Sequence, residues 1–523
     1  MGREEDRILG IDLGTSSCKI IITDALGRII DTESDTYTVH SLPNGGAEQD
    51  PEEWWRAIVS ATSRVMERRT AEKENVVGVG VTAQWSGTVP VDKNGKQLRN
   101  AVIWMDTRGE PYVRELIGGF PSISGYRLDK LLSWIRKTGG APARSGKDSI
   151  AHILFLKNEE PEVYRETFKF LEPKDYVNLR LTGNFFGSYD DMVVHWATDN
   201  RRAETVRYDR SLLKLSTLDP EKLPPLKQSM EIIGGVTRDA SEELGIPAGT
   251  KVVGGAGDMQ ASLIGSGCTE YYQYHLYLGT SSWLTTHFPR KKTDIAHNIA
   301  SLPSAIPGRY FVAAEQESAG NSLEFIRRIL FGGAERPSEG HDYKEMDKLA
   351  AEAAAGSQGL IFAPWLYGER TPVEESHLRG AFINMSLRTG RECVARSVLE
   401  GVAYNMKWLL DTVETFCSHV AEPIRFGGGG ANSPLWSQIL SDVLRRRIMT
   451  VANPTSTTAR GAALLAAVGL GLTSWEELPA AIPITGEYTP DPERAKTYEQ
   501  RYKHFKQFYS KNKKLFFEMN RRN

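Results

Sequence analysis

Residues 8–24 read ILGIDLGTSSCKIIITD, and this stretch decides the fold. Two β-rich runs flank a Gly-Thr-Ser-Ser segment, a pattern typical of a β-hairpin with a polar tip. Residues 274–288 read YHLYLGTSSWLTTHF and repeat the arrangement, so the pentapeptide LGTSS occurs at 13–17 and again at 278–282. The spacing is too long for a solenoid, and it predicts a duplicated domain. Each copy would begin with a strand–turn–strand unit that offers backbone amides and hydroxyls to a ligand.

The segments between and after the hairpins alternate between strand and helix patterns. Strands are predicted at 76–81, 101–104, 251–253 and 359–364, and helices at 51–68, 150–157, 393–413 and 461–468. Such alternation in both halves predicts α/β architecture. A chain of 523 residues is also too long for one ordinary core. We therefore predict two similar α/β domains with a boundary soon after Asp258.

The predicted divisions are an N-terminal domain at 1–262, a C-terminal domain at 263–488 and a tail at 489–523. The tail is rich in basic and aromatic residues. A membrane or nucleic-acid surface is one interpretation of that composition. The helical spacing of Tyr502, Phe505, Phe508 and Phe516 favours the other, a final amphipathic helix packed on the protein.

Composition excludes some partners. The 64 basic and 66 acidic residues nearly cancel, which gives no electrostatic reason to expect nucleic acid as a partner. The sequence contains neither an apolar signal region at its start nor an apolar run long enough to span a bilayer. The four cysteines form no CxxC pair, which suits a reducing compartment. We expect a cytoplasmic protein without a membrane partner, and the sequence leaves a homodimer open.

The commonest catalytic and nucleotide-binding motifs are absent from the sequence. It contains no GxxxxGK[ST] loop, no GxGxxG turn, no GxSxG elbow and no HExxH zinc site. Any nucleotide must therefore be held in another way.

Asp12 is the first candidate for phosphate chemistry. It ends a predicted strand, and the polar turn Gly14, Thr15 and Ser16 follows, so its carboxylate can hold a hydrated Mg²⁺ beside phosphate groups. Lys19 adds positive charge further along the hairpin. The alternative is an Asx-turn that only stabilises the hairpin.

The second LGTSS copy supplies another phosphate-binding turn at Gly279, Thr280 and Ser281. Tyr277 stands there in the position of Asp12, so the acid occurs in the first copy alone. Two such turns, one of them acidic, suit one nucleotide with its metal ion clamped between domains.

Asp258 is the candidate general base. Residues 251–260 read KVVGGAGDMQ, a buried strand followed by a glycine-rich bend and an acid. The glycines allow backbone and ligand to approach closely, and ligands of α/β sheets bind at the carboxyl ends of strands. Asp258 would accept the proton of the substrate hydroxyl during phosphoryl transfer, with Met259 and Gln260 beside the substrate. The alternative is a helix N-cap.

Residues 426–436 read FGGGGANSPLW and predict the adenosine site. The glycines leave a flat wall for a base and ribose, and we assign Gly428, Gly429, Gly430 and Asn432 to ATP. The alternative is a flexible loop, but Ser433 and Pro434 are typical of a helix N-cap and first turn and favour a fixed one.

The acceptor pocket is predicted from two segments that follow strands. They contribute Gln84, Trp85, Trp104 and Asp106. An indole face beside amide and acid groups is typical of a polyol site. Core packing is the alternative for each tryptophan.

These motifs together resemble the FGGY family of carbohydrate kinases, most closely its xylulokinase branch. The resemblance rests on DLGTSSCK, GAGD, the second LGTSS, EGVAYN at 400–405, GGGGANS, PKDYVNLRLTG at 173–183 and GERTPVEESHLRG at 368–380. It extends to about Tyr488.

The resemblance implies a fold of two RNase H-like domains, as in actin, Hsp70 and hexokinase, with an interdomain active-site cleft. It implies ATP and Mg²⁺ in that cleft, with Asp258 as the base and Asp12 near the metal. Thr15 and Thr280 would lie at the phosphates. Closure of the domains over substrate would exclude water.

The resemblance also implies transfer of phosphate from ATP to a ketose or polyol, with D-xylulose as the first expectation and glycerol, erythritol or ribulose as alternatives. The chain departs from the branch, because residues 84–87 read QWSG where xylulokinases typically have Gln-Met-His-Gly. His152 and Asn384 also replace a usual Lys and Gly.

Two other classes of function remain as alternatives. An actin- or Hsp70-like ATPase without phosphotransfer would not need Asp258 beside a tryptophan pocket. A regulatory pseudokinase would be expected to have lost Asp12, Asp258 or one of the turns, and all are present.

Overall fold

The computed structural model describes residues 5–331 and 341–521. The strands of the first half are β1 (Arg7–Leu13), β2 (Ser17–Thr23), β3 (Ile29–Thr36), β4 (His40–Ser41), β5 (Ala47–Gln49), β6 (Val76–Ala83), β7 (Val89–Val91), β8 (Ala101–Val102), β9 (Ser122–Ile123), β10 (Tyr126–Arg127), β11 (Lys169–Leu171), β12 (Gly187–Ser188), β13 (Thr198–Asp199), β14 (Arg207–Tyr208), β15 (Leu226–Lys227), β16 (Ile232–Gly235), β17 (Lys251–Val253) and β18 (Ala256–Gly257). Its α-helices are α1 (Pro51–Arg68), α2 (Glu110–Ile117), α3 (Leu128–Lys137), α4 (Ser149–Glu159), α5 (Pro161–Glu166), α6 (Pro173–Thr182), α7 (Tyr189–Met192), α8 (Arg210–Ser216), α9 (Arg238–Leu244) and α10 (Asp258–Gly265).

The strands of the second half are β19 (Tyr274–Leu278), β20 (Ser282–Phe288), β21 (Thr293–Asp294), β22 (Ile299–Pro303), β23 (Tyr310–Ala313), β24 (Glu315–Gln316), β25 (Ile361–Ala363), β26 (Ala381–Ile383), β27 (Ile424–Gly427), β28 (Ile448–Val451) and β29 (Ile484–Tyr488). Its α-helices are α11 (Gly320–Phe331), α12 (His341–Glu352), α13 (Arg391–Cys417), α14 (Pro434–Leu444), α15 (Thr457–Gly469), α16 (Leu478–Ala481) and α17 (Pro492–Asn520).

Each half contains one large mixed sheet, and the two sheets share a strand order. The first runs β16-β17-β6-β1-β2-β3 and the second β21-β22-β23-β20-β19-β27-β28-β29. In both, a central hairpin pairs antiparallel, β1 with β2 and β19 with β20, and the first hairpin strand also pairs in parallel with a later strand, β6 or β27. The hairpins and the duplicated α/β arrangement predicted from LGTSS are therefore present.

Two helices are exchanged between the halves. α10 follows the first sheet, yet its Met259 and Leu263 pack with Trp283 and Phe311 of the second. α15 follows the second sheet, yet its alanines pack with Ile8 and Ile21 of the first hairpin.

Glycines let these helices approach closely. A Cβ on Gly461 of α15 would lie 1.7 Å from the Ala261 carbonyl oxygen of α10, and a Cβ on Gly265 would lie 1.8 Å from Thr457 O. Gly80 of β6 allows the same approach, because a Cβ there would lie 1.9 Å from Ala462 O. Helices α10 and α15 and strand β6 are therefore in direct backbone contact at this crossing.

The C-terminal tail forms helix α17, as its aromatic spacing predicts. Asp491 caps it by accepting from the backbone N–H groups of Glu493 and Arg494. Phe505 is fully buried in the core of the second half, and Tyr502, Phe508 and Phe516 pack around it. The amphipathic-helix interpretation is confirmed.

Candidate active site

Asp12 lies at the end of β1, directly opposite Lys19 on β2. Burial raises the pKa of its carboxyl group to about 6, although the charge of Lys19 opposes the shift. Lys19 Nζ donates to the Thr455 carbonyl oxygen in the loop before α15. Within residues 5–331 and 341–521, no hydrogen bond to the Asp12 carboxylate is present, so its oxygens are available to a ligand.

The first turn presents the polar groups that its sequence predicts. Gly14 N–H bonds to Ser17 O over 3.0 Å, which closes the turn. Ser16 is exposed, and Gly14 and Thr15 are half-buried. Gln49 Nε2 holds the Thr15 carbonyl oxygen at 2.6 Å. Gln49 therefore fixes the backbone of the turn, while Ser16 at its tip stays exposed to solvent.

The second turn closes one residue earlier. Leu278 pairs with Ser282, whereas Leu13 pairs with Cys18, and Gly279 N–H bonds to Ser281 O over 3.0 Å. Thr280 is exposed at the tip. The same pentapeptide thus forms two turns of different length, which a sequence match alone does not reveal.

Tyr277 takes the place of Asp12 in this second hairpin. Its ring stacks on Trp283 with centroids 4.1 Å apart and planes within 4°. Burial raises the pKa of its phenol, and the nearby carboxylates of Asp12 and Asp258 raise it further. Tyr277, Asp12 and Asp258 therefore lie together, although they come from the two hairpins and from α10.

Asp258 is the first residue of α10, and Gly257 occupies the N-cap position. The side chain is therefore not the helix cap that the sequence left as an alternative. Its Oδ1 accepts from Met259 N–H at 2.8 Å. Burial raises its pKa to about 8, and the charges of Glu315 and Asp12 contribute to the increase.

An ion-pair chain beside Asp258 was missed by the sequence analysis. Arg370 lies 2.5 Å from Glu315 and 3.0 Å from Glu317, and Glu317 lies 3.8 Å from Lys147 Nζ. Lys147 Nζ in turn lies 5.8 Å from the centre of the Trp104 ring. Arg370 belongs to the GERTP motif, which could have indicated its place in the site. Glu315 and Glu317 belong to no recognisable motif.

Trp104 and Gln84 connect the predicted acceptor pocket to the first turn. Trp104 Nε1 donates to Thr15 Oγ1 over 3.1 Å. Gln84 Nε2 donates to Gln49 Oε1 over 2.6 Å, and Gln49 itself holds Thr15. The residues of the predicted acceptor pocket and those of the first LGTSS turn are therefore joined by one network of hydrogen bonds.

Trp85 lies against the loop that carries Asp258. A Cβ on Gly257 would lie 3.5 Å from Trp85 Cδ1, and the indole packs 6.0 Å from the Phe311 ring of the second half. Met259 is buried in the same apolar cluster. Among the described residues, Trp85 Nε1 is buried without a hydrogen-bond partner.

Asp106 and Gln260 are buried, and other protein groups occupy their polar atoms. Asp106 accepts from Ala47 N–H and from the backbone and guanidinium of Arg108 at 2.7–2.9 Å. Gln260 accepts from Ala305 N–H at 2.6 Å and donates to Pro303 O at 3.3 Å. A direct substrate contact stays a prediction for both.

The glycine-rich loop follows β27 and lies against the second hairpin. Gly428 has a φ of +83°, and a Cβ on it would lie 2.4 Å from the Leu278 carbonyl oxygen. Gly430 is buried on the same side, while Gly429 and Asn432 are exposed. Ser433 caps α14 by accepting from Trp436 N–H at 2.9 Å, with Pro434 in the first turn, so the predicted cap is confirmed.

The described residues carry no set of three or more His, Cys, Asp or Glu side chains arranged to hold a metal ion. In the same part of the chain, every helix is too short or too polar to cross a lipid bilayer.

Comparison with known proteins identifies the family. Residues 7–265 match the N-terminal domain of the FGGY family of carbohydrate kinases, and residues 275–470 match its C-terminal domain. A xylulose kinase from Staphylococcus epidermidis is 30% identical over 512 residues, which cover 97% of each chain.

Solved structures share the fold. A gluconate kinase from Lactobacillus acidophilus aligns with a TM-score of 0.84 at 23% identity, covering 98% of this chain and 99% of that one. A ligand-bound xylulose kinase from the same organism gives 0.83 at 24% identity, covering 97% and 98%. The predicted two-domain fold and carbohydrate kinase class are therefore confirmed. The chain belongs to the FGGY family of carbohydrate kinases.

Proposed function

We propose that this kinase transfers the terminal phosphoryl group of ATP to a hydroxyl group of a ketose or polyol, with D-xylulose as the first acceptor to test. The observation that carries the proposal is the approach of Asp12 to Asp258. The charge of Asp12, on β1, contributes to the raised pKa of Asp258, on α10. Xylulose is supported by the Staphylococcus epidermidis relative, a xylulose kinase of which the chain matches 97% of the length.

Asp258 acts as the general base in this proposal. Its pKa of about 8 lies near neutral pH, which is the range in which a base removes a hydroxyl proton most effectively. Its Oδ1 accepts from Met259 N–H, and among the described residues no other side chain hydrogen-bonds to the carboxylate, so an oxygen is left for the acceptor hydroxyl. The proton would pass from that hydroxyl to Asp258 as the oxygen attacks phosphorus and ADP leaves.

The two LGTSS turns hold the phosphates. The first offers Gly14, Thr15 and Ser16, and the second offers Gly279, Thr280 and Ser281. Each tip has an exposed hydroxyl residue, Ser16 in the first half of the chain and Thr280 in the second. Lys19 stabilises the arrangement through its bond to the Thr455 carbonyl oxygen and its pairing with Asp12.

We assign Mg²⁺ to Asp12. Mg²⁺ usually keeps several waters and binds one or two carboxylates together with substrate phosphates, so a single acid suits it. The Asp12 carboxylate fits, because none of the described residues hydrogen-bonds to it. The ion would neutralise charge between the phosphates.

The adenosine moiety lies against Gly428, Gly429, Gly430 and Asn432. The close approach of this loop to Leu278 puts it next to the second phosphate turn, as one nucleotide requires. We propose that acceptor binding and Asp258 belong to a domain at 1–262 and ATP binding to a domain at 263–488, with a packing role for the tail at 489–523.

The acceptor lies between Trp85, Trp104 and Asp258. Gln84 and Met259 border this space, with Gln84 held by Gln49 and Met259 packed behind Asp258. Asp106 and Gln260 support the pocket indirectly: Asp106 holds Arg108, and Gln260 joins α10 to residues 303–305. An apolar face with a few fixed polar groups orients a polyol without needing charge.

A sugar acid is the second candidate acceptor. Lys147 Nζ lies over the Trp104 ring at 5.8 Å and brings a cation to the edge of the pocket. A carboxylate on the acceptor would pair with it. The fold match to a gluconate kinase makes this acceptor class worth testing.

The test is a coupled ADP-release assay with ATP and Mg²⁺ against D-xylulose, ribulose, erythritol, glycerol, gluconate and a heptulose. We expect one acceptor to stimulate ADP release far above the rate with ATP alone. Equal rates with and without every acceptor would instead favour an ATPase.

Asp258→Ala should lower turnover by about three powers of ten or more, because it removes the base. ATP affinity measured by calorimetry should stay within about twofold of the parent. Asp239→Ala on α9 is the control and should retain full activity. A fully active Asp258→Ala variant would show that another group takes the proton.

A further inference from the structure

The loop that leads into Asp258 has no polar side chain with which to fix itself. Residues 254–257 are Gly-Gly-Ala-Gly, and Gly255 has a φ of +75°. A Cβ on Gly255 would lie 2.0 Å from Val81 O, so the loop lies directly on β6. A glycine-rich segment loses the most conformational entropy when it is ordered. Ala256 and Gly257 pair with Thr82 and Ala83 of β6. The rest of the loop's geometry must be imposed by groups of side chains elsewhere in the chain.

The first of these groups is on α6 and holds the start of the loop. The Gly254 carbonyl oxygen accepts from Lys174 Nζ and from Asn178 Nδ2, each at 2.9 Å. Lys174 and Asn178 are separated by one helical turn, so both side chains reach the same oxygen. Both are fully buried, which keeps water from competing for the carbonyl.

The second group is on α7 and holds the end of the loop. Gly257 N–H donates to Asp190 Oδ2 at 2.8 Å, immediately before Asp258. The other Asp190 oxygen accepts from Ser229 Oγ at 2.6 Å, and the Ser229 carbonyl accepts from Gly255 N–H at 2.7 Å. Asp190 and Ser229 therefore fix both the position and the direction of the chain as it enters α10.

Charge joins the two groups. Lys174 lies 3.2 Å from Asp191 Oδ2 and also pairs with Asp175. Burial lowers the pKa of Lys174, but the carboxylates of Asp175, Asp191 and Asp190 outweigh it, so the pKa is raised and the amine stays charged. A buried ion cluster contributes little to stability compared with apolar packing. Its bonds to one loop suggest a geometric role instead.

We propose that Lys174 and Asp190 are positioning residues for phosphoryl transfer, because together they hold the two ends of the Gly254–Gly257 loop and so fix the Asp258 carboxylate. This inference rests on the proposed role of Asp258 as the base. An error of about 1 Å in the position of a reacting group costs about a hundredfold in rate. The effect should therefore appear in turnover rather than in binding.

The experiment compares Asp190→Ala with Asp190→Asn, using the acceptor that the parent enzyme phosphorylates best. The alanine variant loses the bonds to Gly257 and Ser229, so we expect kcat to fall roughly 10- to 100-fold. KM for ATP and for the acceptor should change less than about threefold. The asparagine variant keeps an acceptor oxygen for Gly257 N–H, and its kcat should recover to within about threefold of the parent. Lys174→Met gives a second route, since it removes one of the two bonds to Gly254 O.

The control is Arg396→Met, which disrupts another buried ion pair, with Glu400 on α13. It should lower thermal stability while leaving kcat per folded molecule unchanged. A kcat in Asp190→Ala equal to that of the parent, or equal losses in Asp190→Asn and Asp190→Ala, would overturn the positioning role.

Failure of the proposed base is read out separately. If Asp258→Ala is inactive, Asp190→Ala in that background should cause no further loss, because both changes act through one carboxylate. If Asp258→Ala remains active, the assignment of the base fails. A further tenfold loss in the double variant would show that Asp190 acts independently of Asp258.

Discussion

The indole of Trp104 donates a hydrogen bond to the Thr15 hydroxyl, with 3.1 Å between Nε1 and Oγ1. The bond joins a wall of the proposed acceptor pocket to the first phosphate turn. The position of the acceptor is therefore coupled to that of the phosphates, and it can be tested by removing the bond alone.

Trp104→Phe should lower kcat for the best acceptor by about two- to tenfold, which corresponds to the net value of one hydrogen bond. The ring face is retained, so KM for the acceptor should change less than kcat. Steady-state kinetics with varied ATP and varied acceptor measures both. Tyr37→Phe is a matched control, because it removes a hydroxyl that bonds to the Gly14 carbonyl oxygen of the same turn without touching the pocket. An unchanged kcat in Trp104→Phe would show that the position of the acceptor does not depend on this bond to the phosphate turn.

Glu315→Gln should extend activity to lower pH. Burial is the main cause of the raised pKa of Asp258, and the Glu315 charge is the next. Removing that charge lowers the pKa of Asp258, so the base stays deprotonated to lower pH. The acidic limb of kcat/KM, measured from pH 5 to 9, should move to lower pH. Glu317→Gln leaves Glu315 in place and should move the limb less. A shift toward higher pH would contradict Asp258 as the base.

Glu172→Gln should change how stability depends on pH. Burial raises the pKa of Glu172 to about 8 from 4.5. Between these values the folded protein binds the proton more than the unfolded chain, so the parent loses stability as pH rises from about 4.5 to 8. The glutamine variant lacks this dependence and still accepts from Gly87 N–H. The free energy of unfolding of the variant, relative to that of the parent, should therefore increase by up to about 1.4 kcal/mol for each pH unit in this range. Urea unfolding at pH 5, 6, 7 and 8 measures the difference, and a constant difference would contradict the assignment.

Gly428→Ala and Gly429→Ala form a matched pair in the proposed adenosine wall. A Cβ on Gly428 would meet Leu278 O at 2.4 Å, so this variant should lose roughly 1–3 kcal/mol of stability. A Cβ on Gly429 has no neighbour within 4 Å. That variant should keep its stability but raise KM for ATP, because its methyl group would occupy open space that the proposal assigns to the nucleotide. Thermal unfolding and ATP titration separate the effects. Unchanged KM in Gly429→Ala would remove this residue from the site.

Local patterns in the sequence predicted much of the fold. The helix predicted at 51–68 is α1 at Pro51–Arg68, and both LGTSS hairpins form. These elements depend on neighbouring residues: Asp50 caps α1, and Pro51 occupies its first turn. The strand predicted at 101–104 ends at Val102 instead. The backbone turns after Val102, where Asp106 N–H bonds to Ile103 O over 2.8 Å. The Trp104 indole then reaches the Thr15 hydroxyl, 89 residues away.

Contacts between distant segments were outside the reach of those patterns. Glu315 affects Asp258 across 57 positions of the chain, and no spacing rule connects a short strand with a helix of the other half. Gln260 is predicted to lie beside the substrate, and that contact stays a prediction. Its amide also bonds to residues 303 and 305, which only the folded second half brings near.

The exchanged helices α10 and α15 bear on the history of the chain. Each half covers part of its partner's central hairpin rather than its own, so the exchange is reciprocal. Two identical chains related by a two-fold axis would make the same reciprocal contact. Two copies within one chain are free to diverge, which two identical chains are not. The hairpins have diverged in this way, with an acid at position 12 and an aromatic ring at position 277.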